Sequence, residues 1–199
     1  MMRLGISVEG STEREFVNCV LKPHLLTCNW DIIKPVPLNG GVSLHRFRDE
    51  IRLLSQNYEW VTTLYDLYRF DGRDGRDAEA LEATMADVAG GVANLIPYVQ
   101  SYEFDALVFS DPETLANEFR QPHTLKSLRD VLAECGSPEN INHDYHNVPS
   151  RRLIRIFSTY DKVVHSAQLA GKIGLPRISS QCPRFACWLA KLEALPRQL

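Results

Sequence analysis

Four carboxylates stand at or beside the ends of apolar runs, where they could act together: Glu9, Asp66, Glu103 and Asp105. Glu9 follows Leu4-Gly5-Ile6-Ser7-Val8, in which apolar residues alternate with small ones, as in a strand near the middle of a sheet. Asp66 closes Trp60–Tyr65, a run rich in β-branched and aromatic residues. Glu103 and Asp105 flank Phe104 at a further apolar run. If the first two strands are parallel neighbours, Glu9 and Asp66 share the carboxyl edge, where open α/β sheets place their ligands. Carboxylates crowded there repel one another unless a cation sits among them. A hard divalent ion such as Mg²⁺ (or Mn²⁺) takes oxygen ligands and keeps several waters, so it suits such a group. The same acids also fit solvated loop positions and helix caps, and the residues alone leave both readings open. The i, i+2 spacing of Glu103 and Asp105 puts them on one face of a strand of unknown direction.

The elements that must position these groups alternate strand and helix through the first two-thirds of the chain. After Glu9-Gly10, Thr12-Glu13-Arg14-Glu15 reads as a capping box in which Thr12 and Glu15 satisfy free amides. Phe16, Val17, Val20 and Leu21 form one apolar face, and Pro23 marks the stop. Asp31–Leu38 is a second strand whose two prolines suit a sheet edge, followed by a turn at Asn39-Gly40-Gly41. Ser43 caps a helix with Leu44, Phe47, Ile51 and Leu54 on its apolar stripe. Asp71, Asp74 and Asp77 recur every third residue, which is not the spacing of a calcium-binding EF-hand, and they read as a solvated loop. A helix follows with Leu81, Met85, Val88, Val92 and Leu95 on one face. Residues 97–110 hold another strand, clearest from Phe104 to Phe109, before Asp111-Pro112 opens a helix. The last third is mostly helical. It runs through Thr124–Cys135 ended by Gly136, a basic helix capped by Ser150, Lys162–Ile173 stopped by Gly174, and Pro183–Leu195.

At 199 residues, with 44% hydrophobic and 24% charged residues, the chain reads as one globular unit, 1–199, in which 1–122 is the α/β core and 123–199 a helical extension. A net charge of −3 gives no global basic field, so any nucleic-acid contact must use a local patch or a partner's surface. No signal peptide and no run of membrane-spanning length stand in the sequence, so a cytoplasmic protein with no membrane contact is expected. Five irregularly spaced cysteines fit reduced thiols there. His143 and His146 have no neighbouring third ligand for zinc, and Cys182 and Cys187 have no second pair. There is no P-loop and no Gly-x-Ser-x-Gly elbow. Phe185 and Trp188 stand at core spacing.

Val8-Glu9-Gly10-Ser11-Thr12-Glu13 resembles the first motif of the Toprim domain of topoisomerases, primases and OLD-type nucleases, in which a glutamate directly follows the first strand. Over nearly its whole length the chain is more closely similar to a family of uncharacterised bacterial Toprim-like proteins, often encoded beside AAA or ABC-type ATPases. The residues that carry this likeness are VEGSTE (8–13), TTLYDLY (62–68), IPYVQSYEFDALVFSDPE (96–113), SPENIN (137–142), PSRRL (149–153), YDK (160–162) and CPRFACWL (182–189). The second aspartate of the Toprim pair falls at Tyr68, and the Glu103–Asp105 stretch is the place from which a replacement ligand would come.

The resemblance implies a Toprim-like, Rossmannoid, mostly parallel sheet flanked by helices. It also implies metal-assisted phosphodiester cleavage, with Glu9, Asp66 and Glu103 as Mg²⁺ ligands, Asp105 supporting them, and Glu9 as proton acceptor. Arg151, Arg152 and Lys162 lie in matched segments and are the expected phosphate contacts, with Lys162 near the scissile group, whereas Arg155 reads as solvated. Expected partners are DNA or RNA, an ATPase encoded nearby, and a second copy of the chain. The function expected is the nuclease effector of an antiphage defence system. The alternative is a non-catalytic Toprim-shaped subunit that binds nucleic acid or regulates an ATPase.

Overall fold

The structure is a computed structural model and describes residues 1–38, 40–141 and 147–195. The His143–His146 segment and Asn39 of the expected turn lie outside the described residues.

β1 (Arg3–Val8) is buried from Leu4 to Val8, as its alternation with small residues requires of a central strand. Gly5 is needed there, because a Cβ would meet the Tyr58 ring at 2.8 Å. α1 (Ser11–Phe16) has Gly10 as N-cap, and the capping carboxylate is that of Glu13, not Glu15: its Oε2 accepts the Gly10 N–H at 3.0 Å. The helix begins two residues earlier than a Thr12 cap requires, which puts Glu13 instead of Glu15 at the third helical position. Pro23 does not stop this helix. A π-helical turn, Val17–Leu21, precedes α2 (Lys22–Leu26) and changes the hydrogen-bond register where proline lacks a donor.

β2 (Ile32–Pro37) runs parallel to β1 at the sheet edge, from Arg3↔Ile32 to Val8↔Pro37, where its prolines leave no interior ladder bond unmade. β3 (Val42–Ser43) leads into α3 (Leu44–Ser55), and Ser43 Oγ accepts the Arg46 N–H at 3.4 Å. β4 (Trp60–Asp66) lies on the other side of β1, also parallel, with Leu4↔Trp60 and Val8↔Leu64 in register. β5 (Phe70–Asp71) pairs with β3 in a small separate sheet. Asp77 caps α4 (Ala78–Ala89), its Oδ1 accepting the Ala80 N–H at 2.8 Å. β6 (Leu95–Ile96) and β7 (Val99–Gln100) both pair parallel with β4, giving the order β2-β1-β4-β6 with β7 also on β4, beside Tyr65 and Asp66.

The strand expected over Phe104–Phe109 is a 3₁₀ helix, Phe104–Ser110, with every residue buried. A short apolar run has no period that separates a buried strand from a buried helical turn, and here both sides of the turn are covered. α5 (Pro112–Glu118) is capped by Asp111, whose Oδ1 accepts N–H groups of Glu113 and Thr114. α6 (Leu125–Cys135) ends at Gly136 with φ 78°. α7 (Pro149–Ile156) has Val148 as N-cap rather than Ser150, since Pro149 and Ser150 already take the first two helical positions. α8 (Lys162–Ile173), α9 (Leu175–Gln181) and α10 (Pro183–Ala194) complete the chain's described helices. Among the described residues no helix is long and apolar enough to cross a membrane, and the five cysteines are free thiols.

The period of two along a strand divides the core. Leu4, Ile6, Val8 and Leu64 join one apolar cluster with Phe16, Phe104, Phe185, Trp188 and other residues reaching to Leu195. Val61 and Tyr65 join a second cluster with Phe47 and Ile51 of α3 and Leu81 and Met85 of α4. Two hydrogen bonds follow the same division: Tyr65 donates to Ser7 Oγ at 2.6 Å, and Trp188 Nε1 to Thr62 Oγ1 at 2.8 Å. Asp66 has the parity of Thr62 and Leu64, so it faces the larger cluster, the side on which α8 packs.

Candidate functional site

The parallel pairing of β1 and β4 brings Glu9 and Asp66 to one edge, as expected: Glu9 Oε2 accepts the Asp66 N–H at 3.3 Å. Asp66 is 1% exposed. Its Oδ1 accepts the Phe104 N–H at 2.7 Å, and its Oδ2 lies 3.0 Å from Lys162 Nζ. That amide is available because the backbone turns at Tyr102, a non-glycine residue at φ 64°, where Tyr102 O also accepts the Tyr68 N–H. A left-handed residue of this kind costs about 1–2 kcal/mol, so surrounding contacts must hold it.

Glu103 and Asp105 do not lie on a strand face, yet both reach the site through the 3₁₀ turn. Glu103 caps that turn, and its Oε2 accepts the Ser150 N–H at 3.0 Å from the start of α7. Asp105 is fully buried, and its Oδ1 accepts hydrogen bonds from the Tyr160 hydroxyl and, at 2.8 Å, from Ser166 Oγ. Its Oδ2 lies 3.0 Å from Lys162 Nζ with no donor aligned on it. Lys162, the first residue of α8, thus bridges Asp66 and Asp105 with its side chain 23% exposed. Arg152 is turned to other work: its guanidinium bonds Asn147 O at 2.9 Å and Glu134 at 3.2 Å. Arg155 bonds Asn147 Oδ1, and Arg151 is partly buried on the same helix.

Glu13 also belongs to this group, beyond the four carboxylates that the sequence singles out. It is 4% exposed. Burial pushes its carboxyl up to about 8, helped by the charge of Asp66 and opposed by Lys162. Burial also raises Glu9, to about 7, again with Asp66 adding and the Asp66 amide and Lys162 opposing. Glu103 is raised by burial against the pull of Lys162 and the Ser150 amide. Burial acts to lower Lys162, but Asp66, Asp105, Glu103 and Glu13 outweigh it and hold the ammonium charged far above its ordinary range. Glu9 and Glu13 are four apart across a helix start, the signal from which the second could have been found.

The group has five carboxyls and one ammonium, so it carries excess negative charge when ionised. All its acidic donors are oxygens, burial raises Glu9 to about 7 and Glu13 to about 8, and Asp105 Oδ2 faces the Lys162 ammonium at 3.0 Å without an aligned hydrogen bond. In kind that donor set suits a hard divalent cation, but Lys162 holds the place between Asp66 and Asp105, and no three of these carboxylates bring oxygens within 4.8 Å of one another among the described residues.

Solved structures with the same fold include the C-terminal region of the Burkholderia pseudomallei OLD protein, with TM-score 0.54 and 16% identity over 98% of this chain and 99% of that one. The C-terminal region of the Xanthomonas campestris pv. campestris OLD protein is similar with TM-score 0.51 and 18% identity over 99% and 95% of the two chains. No curated protein matches the chain. The sequence does match, over residues 8–193, the family described as a domain of unknown function (DUF4276), and the chain belongs to that family.

Proposed function

We propose that the protein is a Mg²⁺-dependent nuclease that hydrolyses phosphodiester bonds in DNA or RNA. The observation that supports this is the gathering of Glu9, Glu13, Asp66, Glu103 and Asp105 around Lys162 at the carboxyl edge of β1 and β4. The Toprim resemblance of residues 8–13 and the likeness in fold to OLD C-terminal regions support the same reading. Glu9, Glu13, Asp66 and Glu103 would hold the cation, with Asp105 behind them fixed by Tyr160 and Ser166. When bound, the cation would polarise a phosphate oxygen, acidify water and stabilise the leaving oxygen.

The chain's own residues have separate tasks. Asp66, fixed by the Phe104 amide, orients the cluster. Lys162 keeps its charge at the edge and can contact a phosphate oxygen as a point charge. Glu9 is more exposed than Asp66 and is positioned to take a proton from water. The acidic net charge and the absent P-loop fit a chain that works with an ATPase partner, or as a dimer, to find its substrate.

A second reading has its own support. Tyr68 stands where the Toprim pair has its second aspartate, and an ammonium already lies between Asp66 and Asp105. Both features suit a non-catalytic subunit that binds nucleic acid or regulates an ATPase. Plasmid nicking and RNA cleavage by the purified chain, alone and with the neighbouring ATPase, decide between them. Divalent-dependent cutting that drops in Asp66→Ala is expected, and a complex that never cuts either nucleic acid would leave only the scaffold.

A further inference from the structure

A second group of metal-ligating side chains lies away from the sheet edge, where the end of α2 meets α10. His24, Cys28 and Glu193 place one ligand atom each within 4.8 Å of the others. His24 Nε2 and Glu193 Oε1 are 2.6 Å apart. His24 and Cys28 are four apart, and the Thr27 and Cys28 amides still bond to His24 O and Leu25 O, so the helical turn persists and keeps both side chains on one face. Asn29 then turns the chain at φ 70°.

The arrangement is held from both sides. Trp30 Nε1 donates to Leu192 O at 2.9 Å, pinning α10 one residue from Glu193 against the chain just beyond Cys28. Cys28 is 9% exposed, whereas His24 and Glu193 have about a third of their side chains exposed, at 36% and 35%. A pocket of about 250 Å³ opens beside them, lined by His24, Glu193, Leu175, Pro176 and Leu189. An imidazole, a thiol and a carboxylate together are a poor set for Mg²⁺, which prefers oxygen alone, and a good one for Zn²⁺.

We propose that His24, Cys28 and Glu193 bind Zn²⁺, with the fourth position open to the adjoining pocket. Tetrahedral zinc with bonds of about 2.0–2.3 Å sets ligand atoms roughly 3.2–3.6 Å apart. The His24–Glu193 contact would open slightly and the sulfur would move inward, both within the reach of side-chain rotation. Binding displaces the Cys28 thiol proton to solvent and leaves a thiolate on the metal. The ion links positions 169 residues apart and so fastens α10 to the helix whose first turn holds Glu13.

The test uses the full chain stripped with chelator and titrated with Co²⁺ and then Zn²⁺. Wild type should take up one equivalent of Co²⁺ with a thiolate charge-transfer band and the visible bands of a tetrahedral ion, displaced by Zn²⁺ and not by excess Mg²⁺. The band should vanish in Cys28→Ser and persist in Cys187→Ser. His24→Gln, at a half-exposed position that leaves the core intact, should bind Zn²⁺ at least about tenfold more weakly, and Zn²⁺ should raise the melting temperature of wild type more than that of this variant. A wild-type spectrum without the thiolate band overturns the proposal, as does a band that survives Cys28→Ser or equal Zn²⁺ affinity in wild type and His24→Gln. Nuclease activity is not the readout, so failure here leaves the carboxylate site untouched.

Discussion

Two cations in this protein have equal exposure and opposite surroundings. Lys162 and Arg184 each have 23% of the side chain exposed, and each pairs with two acids. The partners of Arg184 are Glu79 at 2.9 Å and Glu82 at 2.6 Å, with 79% and 21% of their side chains exposed. The partners of Lys162 are Asp66 and Asp105, at 2% and 0%, and further buried acids stand behind them. At Arg184 water screens the surplus acid, and the cation joins α10 to α4 as part of the fold. At Lys162 one ammonium faces more carboxylates than it can neutralise, in a place where water cannot help. Such an imbalance costs stability, and burial together with the charge of Asp66 raises Glu9 to about 7 and Glu13 to about 8. The difference separates a pair whose surplus charge solvent screens from a buried cluster short of counter-charge.

The comparison breaks most directly at the two cations. Lys162→Met at pH 8 should destabilise by ~3–5 kcal/mol, because it leaves buried carboxylates without a counter-ion. Arg184→Met should cost about 1–2 kcal/mol, since its more exposed acids regain water. Urea denaturation of the two variants measures this, and equal losses would erase the distinction. Next in size is activity. Asp66→Ala and Glu13→Ala should each lower divalent-dependent cleavage by ~100-fold, the effect of losing transition-state charge stabilisation, while Arg184→Met stays within a few-fold of wild type. A nicking assay under identical salt measures both.

The pH dependence sharpens the comparison further. Glu9 and Glu13 hold protons in the folded state up to about 7 and 8, whereas in the unfolded chain they lose them near the ordinary glutamate value. Between those limits the folded state binds more protons, so stability should fall as pH rises from about 4.5 to 8. Denaturation at a series of pH values should show this fall, and it should flatten in Glu13→Gln. Mg²⁺ binding, followed by calorimetry, should strengthen with pH over the upper part of the same window and release protons. The smallest effect is expected at the surface: Glu79→Gln should change stability by less than about 0.5 kcal/mol, since its pair is screened by solvent. A loss as large as that at Lys162 would show the Arg184 group to be a buried network after all.

Local signals had a local reach. Asp111-Pro112, Gly136 and Gly174 mark helix ends through bonds and dihedrals made within a few residues, so they stand where the residue types placed them. Leu4–Val8 and Trp60–Tyr65 were legible as strands because their residue types and burial suit a central sheet. Phe104–Phe109 was not, since a run covered on all sides, with even Asp105 turned inward, has no exposed residues to mark a period. Glu13 was misjudged by a shift of two residues in the helix start, which exchanged the inward acid for the exposed Glu15.

What the sequence by itself determined was therefore the two central strands, most of the longer helices, and the acids at the ends of β1 and β4. Parallel pairing of those two strands then put Glu9 beside Asp66. Tertiary structure alone decided the rest of the cluster. It brought Lys162 to Asp66 across 96 residues, turned Glu103 and Asp105 inward through a 3₁₀ helix, and fixed Asp105 with Tyr160 and Ser166. It also committed Arg152 to Glu134 and Asn147, although its residue type suited a phosphate. The physical reason is range. Backbone propensity and capping act over one helical turn, whereas the partner of a buried charge is chosen by whichever elements the core brings together, and no spacing in the chain records that choice.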